Sequence, residues 1–317
     1  FDENTRFILL QEASAEFDWA DISPTIFGAV FESTLNPETR RAGGMHYTSI
    51  ENIHKVIDPL FLDDLKAEFE EIKSITVLKT KEPKLKDFQK KLASLVFLDP
   101  AAGSGNFLTE SYTCLRKLEN EAIRQLNGGQ MTMGDVNNPI KVSISQFFGI
   151  EINDFAVTVA RTALWIAENQ MMKETEDIVH MNLDFLPLKT NACIVEGNAL
   201  RIDWNDVVDK SRLNYIMGNP PFIGYAYQST LQKEDLRPLY PNEKNIDYVA
   251  GWYVKACDYM QNASVHAAFV STNSITQGEQ VSAVWRQLVD EYHAQIEFAY
   301  RTFIWDSEAS LKAHVHC

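Results

Sequence analysis

Leu95-Val96-Phe97-Leu98-Asp99-Pro100-Ala101-Ala102-Gly103-Ser104-Gly105-Asn106-Phe107 is the stretch that decides the fold. Its apolar opening, residues 95–98, reads as a short buried strand. Asp-Pro breaks that strand, because the residue before a proline is biased away from the helical region. Gly103 and Gly105 then allow a tight turn in which backbone can approach a ligand closely. From Phe107 to about Leu126 the apolar spacing becomes helical, and Asn127-Gly128-Gly129 ends the helix.

The same unit recurs downstream. Residues 146–150 form a second strand ending at Glu151, and Asn153 caps a long helix running to about Met172. Residues 192–195 form a third strand, followed by Glu196-Gly197-Asn198. Residues 213–217 form a fourth, followed by Gly218-Asn219-Pro220-Pro221-Phe222. A helix-like segment at 247–262, a fifth strand at 267–270 and a sixth at 295–300 complete the series. Strands alternating with helices predict an α/β fold: a mainly parallel sheet with helices on both faces. In such sheets ligands bind beyond the carboxyl ends of the strands. Asp99, Glu151, Asn198 and Asn219 all fall there, so the fold gathers them on one edge.

Upstream, residues 1 to about 40 show helical spacing, and Arg40-Arg41-Ala42-Gly43-Gly44-Met45-His46-Tyr47-Thr48-Ser49 reads as a loop. Thr48 or Ser49 is placed to N-cap the next helix. Residues 62–94 carry charged helical periodicity, with lysines and acids interleaved as on a solvated face. The chain thus divides into a helical segment, 1–94, and an α/β catalytic unit, 95–317.

Composition sets bounds. At 317 residues, 45% hydrophobic and 23% charged, the chain has the balance of a globular protein. No run of eighteen apolar residues indicates a membrane helix, and Phe1-Asp2-Glu3-Asn4 has no secretory signature, so a cytoplasmic setting is expected. The four cysteines, Cys114, Cys193, Cys257 and Cys317, form no CxxC pair and read as reduced. His314-Val315-His316-Cys317 is a weak metal signal, and no metal is expected. The net charge of −15 argues against a nucleic-acid surface spread over the whole chain.

The strand-end chemistry is specific. The 99–105 turn resembles a nucleotide loop, yet it is not G-x-G-x-x-G and no Lys-Ser/Thr follows it. Asp99 repels phosphate and favours an ammonium. Glu151 suits a ribose diol. Ammonium, ribose and no phosphate describe S-adenosylmethionine better than NAD. The plainer alternative for both acids is capping of the following helix. In Asn219-Pro220-Pro221-Phe222 the Asn side-chain oxygen and the Pro220 carbonyl are two close acceptors on a stiff turn, beside a flat ring. They suit a planar base or amide with an exocyclic amino group. The plainer alternative is a Pro-Pro turn capping a strand.

Together, the residue 99–107 turn and Asn219-Pro220-Pro221-Phe222 resemble the amino-DNA methyltransferases. Gly43-Gly44-Met45-His46-Tyr47-Thr48-Ser49, placed before the glycine turn, matches the gamma order of the adenine-N6 enzymes. Ile22-Ser23-Pro24-Thr25-Ile26-Phe27-Gly28, the His-Tyr-Thr-Ser segment and Asp58-Pro59-Leu60-Phe61-Leu62 look more narrowly like the MmeI class of type IIG/IIL restriction–modification enzymes. The resemblance implies a Rossmann-like, class I S-adenosylmethionine-dependent methyltransferase fold. It implies that Thr48 contacts the methionine moiety and that Asp99, Ala101, Gly103 and Gly105 cradle the cofactor. Glu151 would bind the ribose, with Ile152 against the cofactor adenine. Asn198 stands where the family often has Asp. Asn219 and Pro220 would hold the target amino group, Phe222 would stack on the base, and Phe303 matches a late aromatic that sandwiches it. A core role serves Phe303 equally well.

The resemblance further implies that double-stranded DNA is the substrate, through a flipped adenine. A target-recognition domain, with or without a nuclease domain, would lie outside this chain. On that basis the isolated chain is expected to bind cofactor and methylate DNA weakly or not at all. A protein-glutamine or RNA amino methyltransferase, and a non-catalytic cofactor-binding module, remain alternatives.

Overall fold

In the computed structural model, residues 2, 6–7, 48–127, 139–181, 183 and 192–300 are described. Most of the expected early helical region, residues 40–47 of the expected loop, Phe303 and the C-terminal His-Val-His-Cys lie outside them.

The first described helices lead into the sheet. Helix α1 (Ile50–Ile57) buries Asn52, Ile53, Val56 and Ile57. Ser49 is its N-cap, but no side chain bonds the free N–H groups there, so the expected capping bond is not made. Thr48, the other candidate, uses its hydroxyl elsewhere, as described below. A π-helical turn at Asp58–Leu62 contains Pro59. Helices α2 (Asp63–Lys73) and α3 (Leu78–Ser94) bury one stripe each, Leu65, Phe69 and Ile72 on α2 and Leu85, Phe88, Gln89 and Leu92 on α3. The lysines of α3 lie largely exposed between these positions, as their spacing implies.

The remaining elements alternate. They are β1 (Phe97–Asp99), α4 (Asn106–Asn127), β2 (Phe147–Glu151), α5 (Asp154–Val179), β3 (Cys193–Glu196) and β4 (Tyr215–Gly218), then α6 (Thr230–Leu236), α7 (Ala250–Tyr259), β5 (His266–Phe269) and α8 (Gln280–Trp285). The five strands form one parallel sheet in the order β3-β2-β1-β4-β5. Phe97 pairs with both Phe147 and Tyr215, so β1 is central.

Alternation along each strand builds two cores. Phe97, Phe147, Ile194, Met217 and Ala268 point to one face and pack with α1–α5. Val96, Leu98, Phe148, Ile150 and Ile216 point to the other and pack with α6–α8. Helices therefore cover both faces, which bears out the expected fold class. The rings of Phe97 and Phe147 stack across the ladder with centroids 4.9 Å apart.

One expected element is absent. Residues 295–300 make no strand. An alternating pattern becomes a strand only where a neighbouring backbone completes its hydrogen bonds, and no described strand does so here. Side chains hold the segment instead, with both Glu297 carboxylate oxygens 3.1 Å from His266 Nδ1 and Phe298 packed on the core.

The order of connections sets the site. The chain runs outward from β1 through β2 to β3, then crosses back to β4 on the other side of β1. This reversal opens a crevice beyond the carboxyl ends of β1 and β4. Asp99 ends β1 and Asn219 follows β4, so the two flank it.

Candidate active site

The turn after β1 is held from several sides. Asp99 Oδ1 accepts from the Ala101 N–H at 2.9 Å, and the Ala102 N–H bonds the Ile150 carbonyl on β2 at 3.0 Å. The Gly103 N–H donates to Glu151 Oε2 at 2.8 Å. On the other face, the Trp252 indole on α7 donates to the Pro100 carbonyl at 2.9 Å. Gly103 has φ +53° and its missing side chain faces open space, leaving bare backbone toward the crevice. Gly105 has φ +81°, and a Cβ there would sit 2.9 Å from the Ala160 Cβ on α5. Both glycines are therefore required, one for conformation and one also for helix contact.

Asp99 is the unusual group. It is 1% exposed, and its Oδ2 has no hydrogen-bond partner. Burial pushes its carboxyl up to about 8, against the pull of the Ala101 N–H, with the nearby Glu151 charge adding to the rise. The approach is close because Gly218 ends β4 beside it. A Cβ on Gly218 would lie 2.4 Å from Asp99 Oδ1.

Glu151 is also buried, which raises its carboxyl above the usual range despite backbone N–H groups that lower it. Its oxygens accept from the N–H groups of Gly103 and Asn153, at 2.8 and 2.9 Å. The Ile152 N–H also points at this carboxylate. Glu151 thus organises the turn of β1 from the end of β2. The N-cap of α5 falls to Asn153, whose side-chain oxygen accepts from Ala156 N–H at 3.0 Å. The next side chain, Ile152, is 66% exposed at the same edge, a large apolar surface beside a buried acid.

Asn219 is fixed from a distant part of the chain. Its Nδ2 donates to Thr48 Oγ1 at 3.1 Å, and Thr48 is itself buried. Asn219 Oδ1 is buried and has no partner. With its nitrogen bonded to Thr48, the Asn219 amide leaves Oδ1 as the end open to a ligand. Pro220 is buried and Phe222 is half-buried against the core. The loop that follows is pinned: Gln228 Nε2 donates to the Ile246 carbonyl at 2.8 Å, and Asp247 Oδ1 accepts from Tyr225 N–H at 3.1 Å. Tyr227, in the same loop, is 87% exposed.

Asn198 is occupied by the protein. Its Oδ1 accepts from Leu200 N–H and its Nδ2 donates to Asp235 Oδ2, both at 2.9 Å. Asp235 also accepts from the Tyr248 hydroxyl at 2.7 Å and from Arg201 Nε. An Asp at position 198 would face the Asp235 carboxylate, which gives a physical reason for the Asn.

Asp99, Ala101, Gly103, Gly105, Glu151, Asn219 and Thr48 thus meet at one edge, with Ile152 and Asn198 on its β2–β3 side. Sequence reasoning missed Gly218, Asp235, Tyr248 and Trp252. Only Gly218 carried a local signal, as the residue just before the Asn-Pro-Pro-Phe run.

Comparison with known proteins agrees with this architecture. Residues 75–317 match the family model "MmeI, DNA-methyltransferase domain". DNA methyltransferase A of Bacillus subtilis is 40% identical over 313 residues, covering 97% of this chain and 34% of that protein. The solved structure of the type IIL restriction-modification enzyme MmeI in complex with DNA superposes with TM-score 0.91 at 46% identity, over 100% of this chain and 42% of that one. A DrdV–DNA complex shares the fold at TM-score 0.50 and 17% identity, over 91% of this chain and 27% of that one. This chain therefore spans well under half the length of these relatives. It belongs to the MmeI DNA-methyltransferase domain family.

Proposed function

We propose that this chain is the methyltransferase part of a longer restriction–modification polypeptide. It would transfer a methyl group from S-adenosylmethionine to N6 of an adenine flipped out of double-stranded DNA. The observation that carries this reading is the Asn219 carbonyl oxygen, buried and unpartnered while the amide nitrogen is bonded to Thr48. A buried acceptor without a donor is costly, about 1–3 kcal/mol, unless a ligand supplies one.

The residues present fit the cofactor. Asp99 Oδ2 is a second buried oxygen without a partner and, in the ionised carboxylate, suits the ammonium of the methionine moiety. The bare backbone at Gly103 leaves room for close approach, and no cationic side chain stands in the 99–105 turn to hold a phosphate. Thr48, Ala101 and Gly105 would complete the cradle. Glu151, held in place by backbone N–H groups, would offer its carboxylate to the ribose hydroxyls. Ile152 offers its exposed surface to the adenine ring. When bound, the cofactor supplies an electrophilic methyl group on a sulfonium.

The protein's own contribution is positioning. Extruding a base costs a few kcal/mol, and stacking on Phe222 returns about 1–3 kcal/mol of it. Asn219 Oδ1 and the Pro220 carbonyl would accept the two amino hydrogens. That geometry draws the nitrogen lone pair out of the ring and frees it for attack. The crevice excludes water around these acceptors, which strengthens both bonds. Phe303 is proposed as the second face of the base stack. Site reading would fall to a target-recognition domain elsewhere in the polypeptide, and cleavage, where it accompanies methylation, to a nuclease domain outside this chain.

The test uses the full natural polypeptide with labelled cofactor and DNA, RNA or protein as acceptor, followed by modified-base sequencing of the DNA. N6-methyladenine in duplex DNA is expected, and Asn219→Ala should abolish transfer while cofactor binding persists. Label confined to RNA or protein, or appearing as N4-methylcytosine, would overturn the assignment.

A further inference from the structure

A cluster of donor side chains lies outside the cleft, where α1 packs on α4. His54 sits on α1, while Glu110 and Cys114 sit one turn apart on α4. His54 Nε2 is 3.2 Å from Glu110 Oε1, and Cys114 Sγ is 3.5 Å from the same oxygen. The three donor atoms all lie within 4.8 Å of one another. On the far side of the ring, His54 Nδ1 is 2.8 Å from Asp58 Oδ1.

We propose that His54, Glu110 and Cys114 form a binding site for a zinc-class divalent cation, with Asp58 as the carboxylate behind the imidazole. A tetrahedral zinc with its usual bond lengths sets nitrogen–oxygen edges at about 3.3 Å and oxygen–sulfur edges at about 3.5 Å. The observed separations are 3.2 and 3.5 Å. The ring chemistry points the same way. A neutral imidazole has one N–H and one lone pair, yet both nitrogens face carboxylates. With Nδ1–H donated to Asp58, the Nε2 lone pair is aimed at a carboxylate oxygen. That contact is repulsive unless a positive centre lies between them. A proton or a metal would serve, and the thiol sulfur as a third converging donor favours the metal. A ligand histidine backed by a carboxylate is the usual arrangement around zinc.

Burial pushes the Cys114 thiol up to about 12, and Glu110 adds to the rise, while Lys117 and Lys66 oppose it. Lys66 Nζ also lies 3.6 Å from Asp58 Oδ1, on the outer side of the cluster. A bound cation would displace the thiol proton to solvent, so affinity should increase with pH. The fourth position stays open to water. The site would tie α1 to α4. Thr48 lies just before α1 and the cofactor turn leads into α4, so the cation would hold Thr48 against Asn219. The donors stand 56 residues apart along the chain, so no local spacing announces them.

The test is metal binding and does not involve methyl transfer, so its failure leaves the methyltransferase reading untouched. Chelator-treated protein is dialysed against zinc and assayed for bound metal, then titrated with cobalt(II). About one equivalent of zinc is expected, with a thiolate-to-cobalt charge-transfer band in the near ultraviolet. Cys114→Ser should lose the band, and Asp58→Asn, which keeps all the ligands, should bind about 10–100-fold more weakly. Circular dichroism of each variant establishes that it is folded. Substoichiometric zinc, or tight binding undiminished in both His54→Gln and Cys114→Ser, would overturn the proposal. So would an imidazolium bridging Asp58 and Glu110 in zinc-saturated protein.

Discussion

Raising the pH should destabilise the ligand-free protein through Asp99, and Asp99→Asn should remove that dependence. In the unfolded chain an Asp carboxyl titrates at 3.8, whereas burial holds Asp99 protonated up to about 8 in the fold. Between these values the native state binds more protons than the unfolded state. Stability from this group is therefore full below the lower value and declines as pH rises, by about 1.4 kcal/mol per pH unit. Over the whole window of roughly four units the loss approaches about 6 kcal/mol, which is comparable to the net stability of a domain. Asparagine keeps a carbonyl for the Ala101 N–H and has no proton to lose.

The assay is urea unfolding of wild type and Asp99→Asn, followed by circular dichroism across a pH series. Glu119 and Glu151 are also raised by burial, so the absolute curves slope for other reasons. The difference between the two proteins isolates Asp99. It should widen in favour of the variant by about 3 kcal/mol between about pH 5.5 and about pH 7.5. The same substitution should weaken S-adenosylmethionine binding at least about tenfold above about pH 8, where Asp99 is ionised and pairs with an ammonium as a neutral amide cannot. Parallel pH curves, or a variant less stable than wild type at pH above neutrality, would refute the reasoning.

Further substitutions probe the neighbouring contacts. Thr48→Val leaves the Asn219 amide nitrogen without its acceptor, at a cost of about 1–3 kcal/mol; kcat should fall sharply and recover in Thr48→Ser, and normal turnover in the valine variant would remove Thr48 from this role. Asn198→Asp sets two carboxylates face to face at Asp235 and should lower Tm, more at alkaline than at acid pH; an unchanged Tm would show that the Asp235 contact is unimportant. Gly218→Ala brings a methyl to 2.4 Å from Asp99 Oδ1 and should cost about 1–3 kcal/mol. Part of that cost should disappear in an Asp99→Ala background, as a double-mutant cycle would reveal.

Much of the architecture was legible because its signals are local. The strand at β1, the glycine turn and the helix after it all follow from apolar runs, φ preferences and spacing within a dozen residues. Asn153 as the N-cap of α5 was readable for the same reason. The 295–300 segment misled because alternation records a chain's capacity to pair and says nothing about whether a neighbour is there. Ser49 misled similarly: a capping residue type at a helix start need not turn its hydroxyl to the backbone.

The sequence by itself determined the elements, their alternation and the chemical character of each strand end. It placed an acid after β1, an acid after β2 and an Asn-Pro-Pro-Phe turn after β4. Only the tertiary structure decided how these groups serve one another. Strand order sets β4 beside β1, so Gly218 meets Asp99 and the Asn219 turn opens onto the same crevice as the glycine turn. Packing of α1 brings Thr48 across 171 residues to fix the Asn219 amide. Packing of α6 on the other face sets Asp235 against Asn198. Such contacts depend on which buried faces fit together, and that fit is a property of the whole packed core rather than of any local run of residues.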